Sequence, residues 1–167
     1  MQIRDARPDD LPAIVAIYNA AIPGHQATAD LAPVTVTERQ AWLASHRPES
    51  HPLWIAEADD GHVAGWVALS TFYNRSAWDP TVELSLYVHP DYQKSGVGRA
   101  LAAHAVDGAG SCAIKTILAI VFAHNDASLG LLESVGFQRW GHLPRVTQMP
   151  EGRRDVVILG LEIEVPV

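Results

Sequence analysis

The chain has 167 residues, enough for one compact domain over residues 1–167 whose core needs no covalent staples. Twelve basic and 19 acidic residues give a net charge of −7 with no basic run, which speaks against a nucleic-acid-binding surface. A single cysteine, Cys112, excludes a disulfide framework and a cysteine-rich zinc site, and the eight histidines show no ligand spacing, so no metal is expected.

Charges in Met1 to Pro8 stand where a signal peptide needs an apolar core, and the longest apolar run, Ile117–Ala123, falls far short of the roughly twenty residues that span a bilayer. The reading is a protein of the reducing cytoplasm with no membrane partner. In chain order, Ile3–Ala6 is a short strand, and Pro8-Asp9-Asp10 opens a helix in which Leu11, Ile14, Val15, Ile17 and Tyr18 recur at helical spacing. Pro23–Pro33 is irregular, either a surface connection or a substrate loop. Thr37-Glu38-Arg39-Gln40 resembles a capping box for a second helix that ends near His46 to Pro48. Pro52–Ala58 and His62–Thr71 are strands joined by an Asp59-Asp60-Gly61 turn. Phe72–Pro80 is a loop and Thr81–Val88 the next strand. A helix from Gly98 to about Val106 ends at Gly108 and Gly110, and Thr116–Ala123 is a strand apolar on both faces. Asn125 then caps a helix that stops at Gly136, and Phe137–Val146 and Asp155–Glu164 are the last strands. The order β-α-α-β-β-β-α-β-α-β-β implies a mixed sheet with helices on both faces.

The chemistry concentrates in Val82–Leu101, where a strand containing Glu83 runs into Gln93-Lys94-Ser95-Gly96-Val97-Gly98 and then a helix. Such a loop turns backbone N–H groups toward one point at the positive end of a helix dipole, a seat for phosphate. A P-loop needs Gly-Lys-Ser/Thr, but Arg99 and Ala100 follow Gly98; a dinucleotide fingerprint needs a small residue where Leu101 stands. The pattern that fits is Gln/Arg-x-x-Gly-x-Gly/Ala at a strand–helix junction. With Asn125-x-x-Ser128, Leu131-x-Glu133-x-x-Gly136-Phe137 and Val88-His89-Pro90, it resembles the GNAT N-acetyltransferase superfamily over nearly the whole chain. Ala16-Ile17-Tyr18-Asn19, Phe72-x-x-Arg75-x-Ala77-Trp78, Thr81-x-Glu83 and Ser85-x-Tyr87-Val88 are similar to its phosphinothricin and methionine sulfoximine acetyltransferase branch.

That resemblance implies the α/β (α+β) GNAT fold, with a mostly antiparallel central sheet of about seven strands flanked by helices. It also implies acetyl-CoA as donor and a small-molecule amine as acceptor. By the same resemblance, the backbone of Leu86, Tyr87 and Val88 would carry the pantetheine arm, and Gln93, Lys94, Ser95, Gly96, Val97, Gly98 and Arg99 the pyrophosphate. Lys94 and Arg99 add charge there or are solvated cations; Asn125 and Ser128 touch the cofactor or merely cap their helix. Glu83 matches the branch's general base, the alternative being a structural or substrate-holding carboxylate, and a backbone N–H at Val88 or its neighbour could steady the thioester oxygen. Phe72, Tyr73, Arg75, Trp78 and Thr81 are the remaining substrate candidates, with Arg75 either a carboxylate ligand or a surface arginine packed on Trp78. Many relatives carry a tyrosine or histidine where Leu132 stands, so the leaving thiolate would draw its proton from Tyr87 or water, or leave without one. Cys112 reads as an inert thiol. The competing readings are an acetyltransferase for a polyamine, aminoglycoside or peptide N-terminus, and a non-catalytic acyl-CoA-binding module; relatives also suggest a possible homodimer.

Overall fold

Seven strands make one sheet in the order β1-β2-β3-β4-β5-β7-β6 in this computed structural model, which describes residues 1–164. They are β1 (Gln2–Asp5), β2 (Leu53–Glu57), β3 (Val63–Thr71), β4 (Thr81–Val88), β5 (Thr116–Phe122), β6 (Gln138–Met149) and β7 (Gly152–Glu162). Four helices accompany them: α1 (Leu11–Ala21), α2 (Val36–Ala44), α3 (Val97–Ala109) and α4 (Asp126–Glu133). Every neighbouring pair is antiparallel except β4 and β5, which are joined by the α3 crossover and run parallel. The mixed, mostly antiparallel sheet with helices on both faces is therefore present as expected.

Alternation along β4 assigns its side chains to two cores. Val82 and Leu84 pack with Val97, Leu101 and Ala105 on the α3 face, where Leu86 and Val88 also lie. Tyr87 belongs to the opposite cluster, with Ile14 and Ile17 of α1 and Trp66 of β3, so Glu83 and Ser85 share that second face.

Several boundaries differ from the sequence reading for identifiable reasons. The capping box of α2 is formed by Thr35 and Glu38, two residues before the Thr37 expected: Thr35 Oγ1 accepts from the Glu38 N–H at 3.2 Å and Glu38 accepts from the Thr35 N–H at 2.6 Å. Gly108 does not end α3. A Cβ there would come within 3.0 Å of the Trp54 ring, so this glycine marks close helix–sheet packing. The final hairpin extends to Met149 and Gly152, because a solvent-exposed edge pair tolerates the polar Thr147, Gln148, Arg153 and Arg154, and Gly152 at φ +124° makes its tight turn. Other local signals stand as read: Gly61 has φ +83° in the β2–β3 turn, and Gly136 has φ +104° just beyond α4.

Candidate active site

The site arises from a short parallel register. β5 meets β4 only at Thr81 with Thr116, Val82 with Ile117 and Glu83 with Leu118; beyond that point β4 stays with β3 and β5 with β7. The two central strands therefore part immediately after Glu83. The His89 N–H donates to Ala64 O at 2.8 Å while Gly65 stands opposite Val88, which makes Val88 a non-hydrogen-bonded position toward β3. Its N–H and C=O accordingly point the other way, to the open edge. By alternation, the backbone groups of Leu84 and Leu86 point there as well.

The opening is a cleft of about 110 Å³. Glu83 to Tyr87 line one wall, Ala119 to Val121 the other, and Asn125, Ser128, Leu131 and Leu132 close it from α4; Ala27, from the α1–α2 connection, completes it. The Glu83 carboxylate is half-buried and has no hydrogen bond or ion pair to another described residue. Burial without compensation pushes its pKa above the ordinary carboxylate value. Burial likewise pushes the Tyr87 hydroxyl well above the usual phenol range, reinforced by neighbouring Tyr18; this hydroxyl donates to Ala27 O at 3.2 Å.

At the outer end of β4 lies the glycine loop. Lys94 (φ +59°) and Gly96 (φ +89°) both adopt left-handed backbone, and a Cβ on Gly96 would meet no atom within 4 Å. Among the described residues, the backbone N–H groups from Lys94 to Arg99 find no acceptor, and Gly96 caps α3 with no side-chain bond. These N–H groups sit at the positive end of a 13-residue helix. Gln93 enters the loop with its N–H on Pro90 O at 3.4 Å, and the Ser95 hydroxyl is turned back onto Tyr92 O. Neither Lys94 nor Arg99 is ion-paired among the described residues. Asn125 is buried and does cap α4: its Oδ1 accepts from the Ser128 N–H at 3.1 Å and its Nδ2 donates to Ser128 Oγ at 2.9 Å.

The β3–β4 connection carries the remaining substrate candidates. Trp78 holds Phe72 at 5.5 Å and Tyr73 at 5.7 Å between ring centroids, and Arg75 has no ion pair among the described residues. Thr81 faces Thr116 at the base of the parallel ladder. None of these five residues lines the cleft, although Phe72 follows closely on Ser70, the register partner of Glu83. Ala27 and Ile120 line the cleft without having been singled out in the sequence, whereas Ser85 and Leu131 stand in motifs quoted above. For the first two the signal is weak. No motif marks them, and only the irregular Pro23–Pro33 stretch hinted at Ala27. Cys112 is remote, its thiol directed at Pro48 O at 3.4 Å, and no group of metal-ligating side chains occurs among the described residues.

Comparison with known proteins gives a consistent picture. Residues 14–137 match the Acetyltransferase (GNAT) family. The chain is 41% identical over 163 residues to the Bacillus subtilis protein named "Putative phosphinothricin acetyltransferase YwnH", covering 98% of this chain and 99% of that one. It is 31% identical over 162 residues to the L-methionine sulfoximine/L-methionine sulfone acetyltransferase of Pseudomonas aeruginosa, covering 97% and 94%. The structure of yncA from Salmonella typhimurium with its cofactor acetyl-CoA matches with a TM-score of 0.93 at 29% identity, covering 100% of this chain and 96% of that one.

Proposed function

The chain belongs to the GNAT family of acetyltransferases and uses acetyl-CoA, and from that premise we propose that it acetylates the amino group of a small amino acid or analogue of the methionine sulfoximine or phosphinothricin kind, with Glu83 as general base. The observation that carries this reading is the unpartnered, half-buried Glu83 carboxylate at the point where β4 and β5 part.

The residues present fit acetyl-CoA. The free N–H groups from Lys94 to Arg99 suit its pyrophosphate, and the outward-turned backbone of Leu86 and Val88 suits its pantetheine arm, with Tyr87 between them and Asn125 and Ser128 on the facing helix. Bound acetyl-CoA supplies the acetyl group as a thioester open to attack by an amine. An aliphatic amine is an ammonium near neutral pH and must first lose a proton. Glu83, directly or through water, takes it, and a carboxylate of raised pKa is better matched to that transfer than an ordinary one. The Val88 N–H, turned toward the cleft, is the donor for an oxygen that gains negative charge. Leu132 has no proton to give; water, or Tyr87 reprotonated in turn from solvent, is our candidate for returning one to the leaving thiolate. Arg75 is assigned to the acceptor carboxylate, and Phe72, Tyr73, Trp78 and Thr81 to the flank from which the acceptor enters. We place the enzyme in the cytoplasm as one domain over residues 1–167, consistent with its lone free cysteine. Among the described residues no helix is long and apolar enough to cross a membrane. A homodimer is supported by the exposed Trp140, Leu143 and Val146 on the edge strand β6.

Thiol release from acetyl-CoA, measured across L-methionine sulfone, phosphinothricin, spermidine and an aminoglycoside, tests the reading. Release is expected with the first two and to depend on Glu83 and Arg75. Release with spermidine alone would replace the amino-acid acceptor by a polyamine, and cofactor binding without turnover on any amine would replace the enzyme by a binding module.

A further inference from the structure

Glu83 has a neighbour on each side in the sheet. Toward β5 it meets Leu118, where the cleft given above to acetyl-CoA begins; toward β3 its register partner is Ser70. With the cofactor between β4 and β5, the space over β3 is what remains for the amine. Ser70 and Glu83 are in phase with Ala64 and His89, whose backbones are bonded at 2.8 Å. They are therefore a hydrogen-bonded pair of the antiparallel ladder, about 5.5 Å apart at Cα with both side chains on one face. That face is covered by α1 and α2: Ala68 and Trp66, two and four residues before Ser70, pack there with Ile14, Ile17, Trp42 and Leu43.

The Ser70 hydroxyl is engaged by His46, which follows α2. His46 Nδ1 lies 2.8 Å from Trp42 O and Nε2 lies 3.0 Å from Ser70 Oγ. A carbonyl oxygen can only accept, so Nδ1 carries the ring proton and Nε2 is the bare nitrogen of a neutral imidazole. Burial lowers the pKa of this histidine and keeps it in that form. The one hydrogen of the Ser70 hydroxyl is thereby committed to Nε2, and its oxygen has only lone pairs left to offer. A charged Glu83 accordingly finds no donor in its cross-strand neighbour. The His46 ring is fixed edge-on against Trp42 at 4.7 Å, and Trp42 against Trp66 at 5.5 Å. Five charged or titratable groups surround this line. Arg39 lies 5.5 Å over the Trp42 ring, Arg47 is next to His46 in the chain, and His51 Nε2 is 3.4 Å from Thr71 Oγ1. Tyr18 and Tyr87 lie on the Glu83 face, and none of the five bonds to the side chains of His46, Ser70 or Glu83.

We propose, resting on the reading of Glu83 as base, that the Ser70 hydroxyl is a second acceptor for the amine at Glu83, and that His46 is the positioning residue that fixes the hydroxyl in that sense. An ammonium carries three N–H donors. One is directed at the carboxylate and another at the lone pair on the neighbouring strand, so the nitrogen is held at two points before it loses a proton. That proton passes to Glu83, and Ser70 keeps its own. The same arrangement preserves the base. A hydroxyl turned toward Glu83 would favour the charged carboxylate and make it a weaker proton acceptor, and the bond to His46 prevents that turn.

The test uses the full chain with acetyl-CoA and whichever of the four amines above is turned over fastest, with thiol release followed against pH. Ser70→Ala is expected to raise the acceptor KM by about tenfold or more, the usual worth of a hydrogen bond to a charged group, with the KM for acetyl-CoA unchanged. Ser70→Thr keeps the hydroxyl and is expected to restore the acceptor KM. His46→Phe removes the acceptor at Nε2 and frees the hydroxyl to turn to Glu83. The acid limb of kcat/KM, which reports the carboxyl of the free enzyme, is then expected to move to lower pH by about one unit. Combining His46→Phe with Ser70→Ala is expected to return the limb to its wild-type place, a reversal that a packing lesion would not show. Melting curves establish that each variant is folded, and the two Ser70 substitutions carry the test if His46→Phe does not fold. Ser70→Ala with a wild-type acceptor KM overturns the role of Ser70, and a folded His46→Phe with an unmoved acid limb overturns that of His46. If Glu83→Gln loses turnover while those variants behave as wild type, this inference falls alone; if Glu83→Gln keeps turnover, or no amine is acetylated, the base reading falls with it.

Discussion

Replacing Glu83 by glutamine isolates the proposed base. The substitution keeps the shape and removes the charge, and it breaks no bond, because the carboxylate has no hydrogen-bond or ion-pair partner among the described residues. Loss of a general base costs about 10²- to 10⁴-fold in rate, which corresponds to about 3–5 kcal/mol of barrier. Thiol release under saturating acetyl-CoA should therefore show kcat reduced by that factor with acceptor KM little changed. In the wild type, the acid limb of kcat/KM should have its inflection above the ordinary 4.5 of a glutamate, since burial raises this group, and Glu83→Gln should lose that limb. Stability moves in the opposite sense. A carboxyl whose folded pKa is raised contributes stability in its neutral form at low pH, and that contribution is lost as the pH rises through the raised value. At neutral pH the half-buried charge is a burden on the fold, so Glu83→Gln should melt at or above the wild-type temperature, with the difference shrinking in acid. A variant that retains kcat within a few-fold of wild type, or that keeps the acid limb, would refute the assignment of Glu83 as base.

Three further expectations follow from other parts of the molecule. Gly96→Ala puts a side chain on a residue held at φ +89° and so strains the backbone that carries the free N–H groups of the loop; it should destabilise by about 1 kcal/mol and raise the KM for acetyl-CoA while kcat is kept, and an unchanged KM would remove the loop from the cofactor site. Asp10 is buried, which alone would raise its pKa, but bonds from Arg4 at 2.8 and 3.0 Å and from the Arg7 N–H at 2.7 Å outweigh this and hold it below 3.8. Its contribution is present above the ordinary value and lost as the pH falls through the lowered one, so Asp10→Asn should cost about 3 kcal/mol at neutral pH, with melting curves converging on the wild type in acid. Thr35→Ala removes the capping box of α2 and should lower stability by about 1 kcal/mol, a melting shift of about 2–4 °C, without altering turnover.

The sequence by itself determined whatever neighbouring residues decide among themselves. The strand Thr81–Val88 has the bounds its alternation indicates, and the same alternation sets Glu83 and Tyr87 on one face and Leu84 on the other. Asn125 caps α4 through Ser128, and Gly96 turns the loop, because caps and left-handed glycines are settled within a few residues. Polarity misled where solvent rather than a core surrounds a strand, as at Thr147 to Arg154, and Gly108 was a terminator in sequence but a packing contact against Trp54 in space. Only the tertiary structure decided the cleft. It exists because β3 holds β4 and β7 holds β5 on their outer edges while the parallel register between them ends at Glu83 and Leu118, a relation among four strands that no local pattern encodes. Ala27 joins it for the same reason: its place depends on Tyr18, Asn19, Tyr87 and His124 converging on one irregular segment from three different elements.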